Sequence, residues 1–105
     1  MEFTILERII LQGLLPQEGD YITFGIIKGL RTELSFSEKE IKDFEIKQDG
    51  KSITWDSKKE RVKKVEVGEK AQSIISEALK KLNDEKKINE QNVSLYERFV
   101  LTIKT

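Results

Sequence analysis

Neither histidine nor cysteine occurs among the 105 residues. Without cysteine there is no disulfide, no thiol nucleophile and no thiolate metal site. Without histidine the usual general base, the usual triad member and the commonest transition-metal ligand are missing. A zinc site would need carboxylates alone, which is rare. No metal and no cofactor is therefore expected; most familiar catalytic constellations are excluded, while catalysis by two carboxylates or by lysine stays open. Proline occurs once, at Pro16, and tryptophan once, at Trp55. No apolar run approaches the roughly 18 residues that a membrane helix needs, and no signal-peptide pattern opens the chain. A cytoplasmic location without membrane contact is the expectation.

What the sequence has is charge and periodicity. Charged residues make up 36% and hydrophobic residues 37%, with 19 bases balancing 19 acids. Such a chain builds a small core under a heavily charged surface. The length suits one domain, residues 1–105. Neutrality hides an asymmetry. Residues 1–50 carry six basic and ten acidic side chains, and residues 51–105 carry thirteen and nine. The two halves could attract each other within one fold, or the dipole could steer a partner.

Five helices are predicted. The first starts at Thr4, where Thr4 and Glu7 form a capping box that satisfies free N–H groups at the helix start. Phe3, Leu6, Ile9, Ile10 and Leu14 follow its apolar face, and Pro16 stops it. Asp20 caps the second, which runs to about Leu34 with Tyr21, Phe24, Ile27, Leu30 and Leu34 on one face. Ile22 and Ile26 widen that face, so this helix is expected to be the most buried. Gly25 and Gly29 lie one turn apart, each costing about 1 kcal/mol against alanine. Close packing of another element is the expected return; docking of a ligand or partner backbone is the alternative. Ser37 and Glu40 repeat the capping box ahead of a short third helix, Glu38 to Asp43, with Ile41 as its buried contact. Ala71, Ile74, Ile75, Ala78, Leu79 and Leu82 mark a fourth helix from Glu69 to about Lys86. Asn89 caps a fifth over about Glu90 to Ile103, with Val93, Tyr96, Phe99, Val100 and Ile103 facing inward. No internal repeat is apparent.

Between the third and fourth helices, Asp49-Gly50 divides two alternating runs, a strong hairpin signal. With Asp49 and Gly50 at the turn centre, Gln48 faces Lys51, Ile46 faces Ile53, and Phe44 faces Trp55. Phe44, Ile46, Ile53 and Trp55 then share the inner face. Val65 and Val67 suggest a third short strand after a loop at 56–61. The fold class is α+β: a mostly helical single domain of about five helices with a small antiparallel hairpin or three-stranded sheet.

Chemistry-bearing patterns are sparse. Gly25-Ile26-Ile27-Lys28-Gly29 lacks phosphate-loop spacing, and the surroundings of Asp49 lack the ligands of a calcium loop. A carboxylate pair could be drawn from Asp43, Asp56, Glu60 and Glu66, but no spacing selects one. The best local candidate is the run 58–64, in which Lys58, Lys59, Arg61, Lys63 and Lys64 are basic. It could contact phosphates or a partner. It could equally be a solvated loop with an edge strand guarded by lysine. Trp55 and the tyrosines Tyr21 and Tyr96 read as core or core-edge residues.

Three segments form a familiar set: Ile5 to Thr23 around Leu-Leu-Pro-Gln-Glu-Gly-Asp, Leu34 to Gly50, and Asn89 to Val100. Together they resemble small uncharacterised proteins of bacteriophages, prophages and related bacterial genomes. That resemblance implies a small accessory protein and assigns no residue a role. The leading expectation is a non-enzymatic interaction protein acting through a protein partner or by self-association. The alternative is a winged-helix-like nucleic-acid-binding module using the run 58–64.

Overall fold

The computed structural model describes residues 1–50, 52–56, 58–59 and 61–101. The pairing expected of Lys51, the loop residue Ser57, the candidate acid Glu60 and the inward position of Ile103 lie outside them. The element order is β1 (Glu2–Phe3), α1 (Ile5–Leu14), α2 (Tyr21–Leu34), α3 (Glu38–Asp43), β2 (Lys47–Asp49), β3 (Ser52–Thr54), β4 (Lys63–Lys64), α4 (Glu69–Asp84) and α5 (Val93–Tyr96). A π-helical turn, Glu97–Leu101, extends α5. The architecture is α+β, with two separate two-stranded antiparallel sheets, β1–β4 and β2–β3.

One core joins α1, α2, α4 and the α5 segment. Leu11 and Leu15 meet Ile27, Leu30 and Leu34 of α2, Ala71, Ile75 and Leu79 of α4, and Leu95 and Phe99. The Phe3 and Phe99 rings stack at 6.1 Å, which ties the first strand to the π turn. The α4 stripe is where periodicity placed it. Ala71, Ile75 and Leu79 are buried, and Ile74, Ala78 and Leu82 flank them half-buried.

The caps follow the sequence closely. Thr4 with Glu7, and Ser37 with Glu40, form reciprocal capping boxes, and Asp20 accepts from the Thr23 N–H. Two helices end on Schellman motifs without glycine. After α3, the Ile46 N–H reaches the Ile41 carbonyl with Glu45 at φ 53°. After α4, the Lys87 N–H reaches the Leu82 carbonyl with Lys86 at φ 59°. Each puts a side-chain-bearing residue in the left-handed region that glycine usually takes.

Several expectations are corrected. The hairpin pairs Gln48 with Ile53 and Asp49 with Ser52, so the turn begins at Gly50 (φ 62°) instead of Asp49. Relative to the expected register the second strand slides by two residues. A slip of two keeps every side chain on its face, whereas a slip of one would invert them. Ile46, Ile53 and Trp55 are accordingly half-buried, Phe44 is buried and Thr54 is exposed. No third strand joins this hairpin among the described residues. Lys63–Lys64 pairs with Glu2–Phe3, and Val65 exchanges backbone hydrogen bonds with Met1 in both directions.

In α1 the innermost line is Ile5, Arg8 and Leu11, while Leu6, Ile9, Ile10 and Leu14 are half-buried. A hydrophobicity pattern cannot place a buried arginine, so the expected face was rotated. Ile41 is 44% exposed, because α3 lies on the surface, held by its ends. The α5 helix is assigned only from Val93, which is exposed, and Leu95 takes the inward position instead. Asn89 still caps the preceding turn: its Oδ1 accepts from the Gln91 and Asn92 N–H groups, and Asn92 Oδ1 accepts from the Asn89 N–H.

Candidate interaction surface

A structural device must first be separated from any site. Arg8 is fully buried in α1. Its Nε donates to the Leu34 carbonyl, its Nη2 to the Ser35 carbonyl, and both Nη groups to the Glu40 carboxylate at 2.6 and 3.1 Å. The guanidinium lies 4.2 Å from the Phe36 ring centroid. Arg98 repeats the arrangement. It donates to the Glu2 carbonyl and to Glu7, and lies 5.3 Å from the Phe3 ring. In both places an arginine from another helix holds the capping-box glutamate, covers the aromatic residue just before the cap, and binds the carbonyl before that. The segments Phe3-Thr4-Ile5-Leu6-Glu7 and Phe36-Ser37-Glu38-Lys39-Glu40 share the pattern that makes this fit. This short repeat escaped the sequence reading, although Phe-Thr/Ser-x-x-Glu was its visible signal.

The Glu40 carboxyl is held down to about 2, first by the Arg8 hydrogen bonds, with the Ser37 N–H assisting. Arg8, Gln12 and Lys63 together supply donors to the carbonyls of Glu33, Leu34 and Ser35 at the end of α2. Cations there also offset the negative end of the helix dipole. The fold itself engages these charged groups.

The basic side chains of the run lie in different settings. Lys63 is spent on the Glu33 carbonyl. Lys64 lies in β4 opposite Glu2. Lys59 pairs with Glu45 at 2.8 Å, and that bond raises the Lys59 pKa and lowers that of Glu45. Lys58, Lys59 and Arg61 do line a groove of about 530 Å³, which the structure completes with Lys39, Asp43 and Phe44. Lys39 was not among the sequence candidates. Of the candidate acids, Asp43 and Asp56 both act on Lys59, whereas Glu66 lines a different groove with Met1 and Gln72. Among the described residues no group of three or more acids could hold a metal ion. No helix there is long and apolar enough to cross a membrane.

The largest departure from expectation is on α2. Its inner face buries Ile27, Leu30 and Leu34. Its outer face carries Tyr21, 90% exposed, and Ile22, 64% exposed. Tyr21, Ile22, Phe24, Gly25 and Ile26 line a groove of about 430 Å³ in which Lys28 is the one charged residue among the described residues. Among the described residues, no atom beyond the adjoining residues and the helix's own backbone lies within 4 Å of where a Cβ would stand on Gly25 or Gly29. The close internal packing expected of these glycines is absent, and Tyr21 is not a core-edge residue. Of the expected apolar face only Ile27, Leu30 and Leu34 are buried, because α2 has apolar residues around more of its circumference than its own core covers.

Set beside known proteins, the chain matches no family model, no curated protein and no solved structure.

Proposed function

We propose that the protein is a non-enzymatic interaction protein that works through the outer face of α2. The observation that carries this reading is the apolar groove from Tyr21 to Ile26, next to two glycines that no internal contact uses. Single exposed apolar side chains are ordinary, but a contiguous apolar strip on one helix is a binding signal. Tyrosine beside isoleucine offers large contact area at little entropic cost. The absent Cβ atoms let another chain approach the helix backbone closely. The occupant would be a protein partner or a second copy of this chain. A small accessory role of the kind carried by phage-type proteins fits this reading.

Nucleic-acid binding is the second reading, and the groove at Lys39, Lys58 and Arg61 is its support. Against it stand the neutral chain, the engagement of Lys59 and Lys63, and the acids Glu38, Glu40 and Asp43 on α3. Tight binding to phosphates rests on many released counterions.

A photo-crosslinking side chain placed at position 22 tests the proposal in nuclease-treated extract. The expected product is a discrete protein adduct, absent when the same group replaces Lys80 on α4. Equal adducts at both positions, or adducts to nucleic acid alone, would reject it.

A further inference from the structure

The groove that α3 forms with Lys58, Lys59 and Arg61 has a chemistry of its own. Lys39, Lys58 and Arg61 stand exposed around it, and no ion pair takes any of them among the described residues. Phe44, 9% exposed, closes the floor of the groove and is otherwise buried. Asp43 lies in the same lining one turn beyond Lys39. Glu45 occupies Lys59, and Asp56 binds the Lys58 N–H. The surface therefore offers a few separated cations, interrupted by carboxylates, beside an aromatic residue.

We propose that this groove binds an acidic segment of a partner protein, with carboxylates against Lys39, Lys58 and Arg61. The proposal rests on the reading that the chain acts by binding protein. Charge complementarity selects an anionic occupant, and the interruptions select its class. A duplex presents one charge about every 1.7 Å along its axis, so it rewards an unbroken positive stripe. Here Asp43 and the Glu45–Lys59 pair break that stripe. A peptide can place its acids opposite the cations and leave the positions facing Asp43 neutral. Arginine adds a planar fork that suits a carboxylate.

The test is fluorescence anisotropy with a labelled peptide of Glu-Glu-Phe repeats, against a single-stranded oligonucleotide of equal charge. The intact chain should bind the peptide more tightly than the oligonucleotide, with affinity that falls as salt rises. The triple variant Lys39→Gln, Lys58→Gln, Arg61→Gln should lose at least about tenfold in affinity. Removing three cations elsewhere, by Lys70→Gln, Lys80→Gln and Lys86→Gln, should change it by less than about twofold. All six side chains are exposed, so unchanged melting curves verify the fold. Equal losses in the two variants, tighter binding of the oligonucleotide, or no peptide binding at low salt would overturn the proposal. Loss of peptide binding in Tyr21→Ser/Ile22→Ser would also overturn it, by showing that the groove is not a separate surface. A failed peptide with a surviving crosslink at position 22 removes this groove and leaves the protein-binding reading in place.

Discussion

Arg8 shows how much one side chain can organise. It has no exposed surface, yet it ends α2, starts α3 and fixes both against α1. Its cost and its benefit are both electrostatic. A buried guanidinium is tolerable only while its donors are met, and removing one partner of such a pair leaves the other uncompensated. Arg8→Ala should cost about 3–5 kcal/mol in urea denaturation. Arg8→Lys should recover less than half of that, because a point charge cannot reach two carbonyls and a carboxylate together.

The partner makes the same point through pH. Glu40 titrates at about 2 in the fold, below its ordinary 4.5. A carboxylate whose folded pKa is depressed stabilises the protein above the unfolded value, and that contribution is lost as pH falls through the folded one. Stability should therefore drop between about pH 4.5 and pH 2, by on the order of 2 kcal/mol after allowing for the partial exposure of the side chain. Chemical denaturation across that range should show the fall in the natural protein and a shallower one in Glu40→Gln. None of this was legible residue by residue. The sequence showed Glu40 as half of a capping box but gave no reason to bring Arg8, 32 positions earlier, onto it.

At the scale of elements, local rules served well where local physics decides. Thr4, Asp20 and Ser37 cap the helices they were expected to cap, because capping depends on residues three apart. The α4 stripe is buried because its period leaves one apolar face. The strand pairings were harder. Gly50 accepts a positive φ at either central turn position, so Asp49-Gly50 locates a hairpin without fixing which two residues form the turn. Pairing of β4 with β1 joins the N-terminal strand to a mid-chain segment about sixty residues away, which no local pattern announces. The glycines of α2 carry a prediction of their own. Gly25→Ala should stabilise the isolated protein by about 0.5–1 kcal/mol, since the site is open and alanine favours helix. The same change should weaken the α2 interaction if a partner backbone approaches there. A thermal melt and the position-22 crosslink yield read the two effects separately.

For the molecule as a whole, the proposed interaction surface is only half visible in the sequence. Periodicity identified Tyr21 and Ile22 as apolar positions on a helix but could not say how much of that helix the core would cover. The answer depends on which face α1 and α4 occupy, a property of the assembled fold. The basic run was visible, but its division among structural and free cations was not, because Glu33, Glu45 and Lys39 come to it from other elements. The central claim is that the outer face of α2 exists for a protein partner rather than for the fold. Affinity capture in nuclease-treated extract, comparing the natural chain with Tyr21→Ser/Ile22→Ser, tests it most directly. The double variant should melt within a few degrees of the natural chain, because both side chains are already solvated. It should lose the co-purifying protein, or the second copy of the chain, by at least about tenfold, the loss expected when an aromatic anchor is removed. Undiminished capture by a folded double variant would contradict the account.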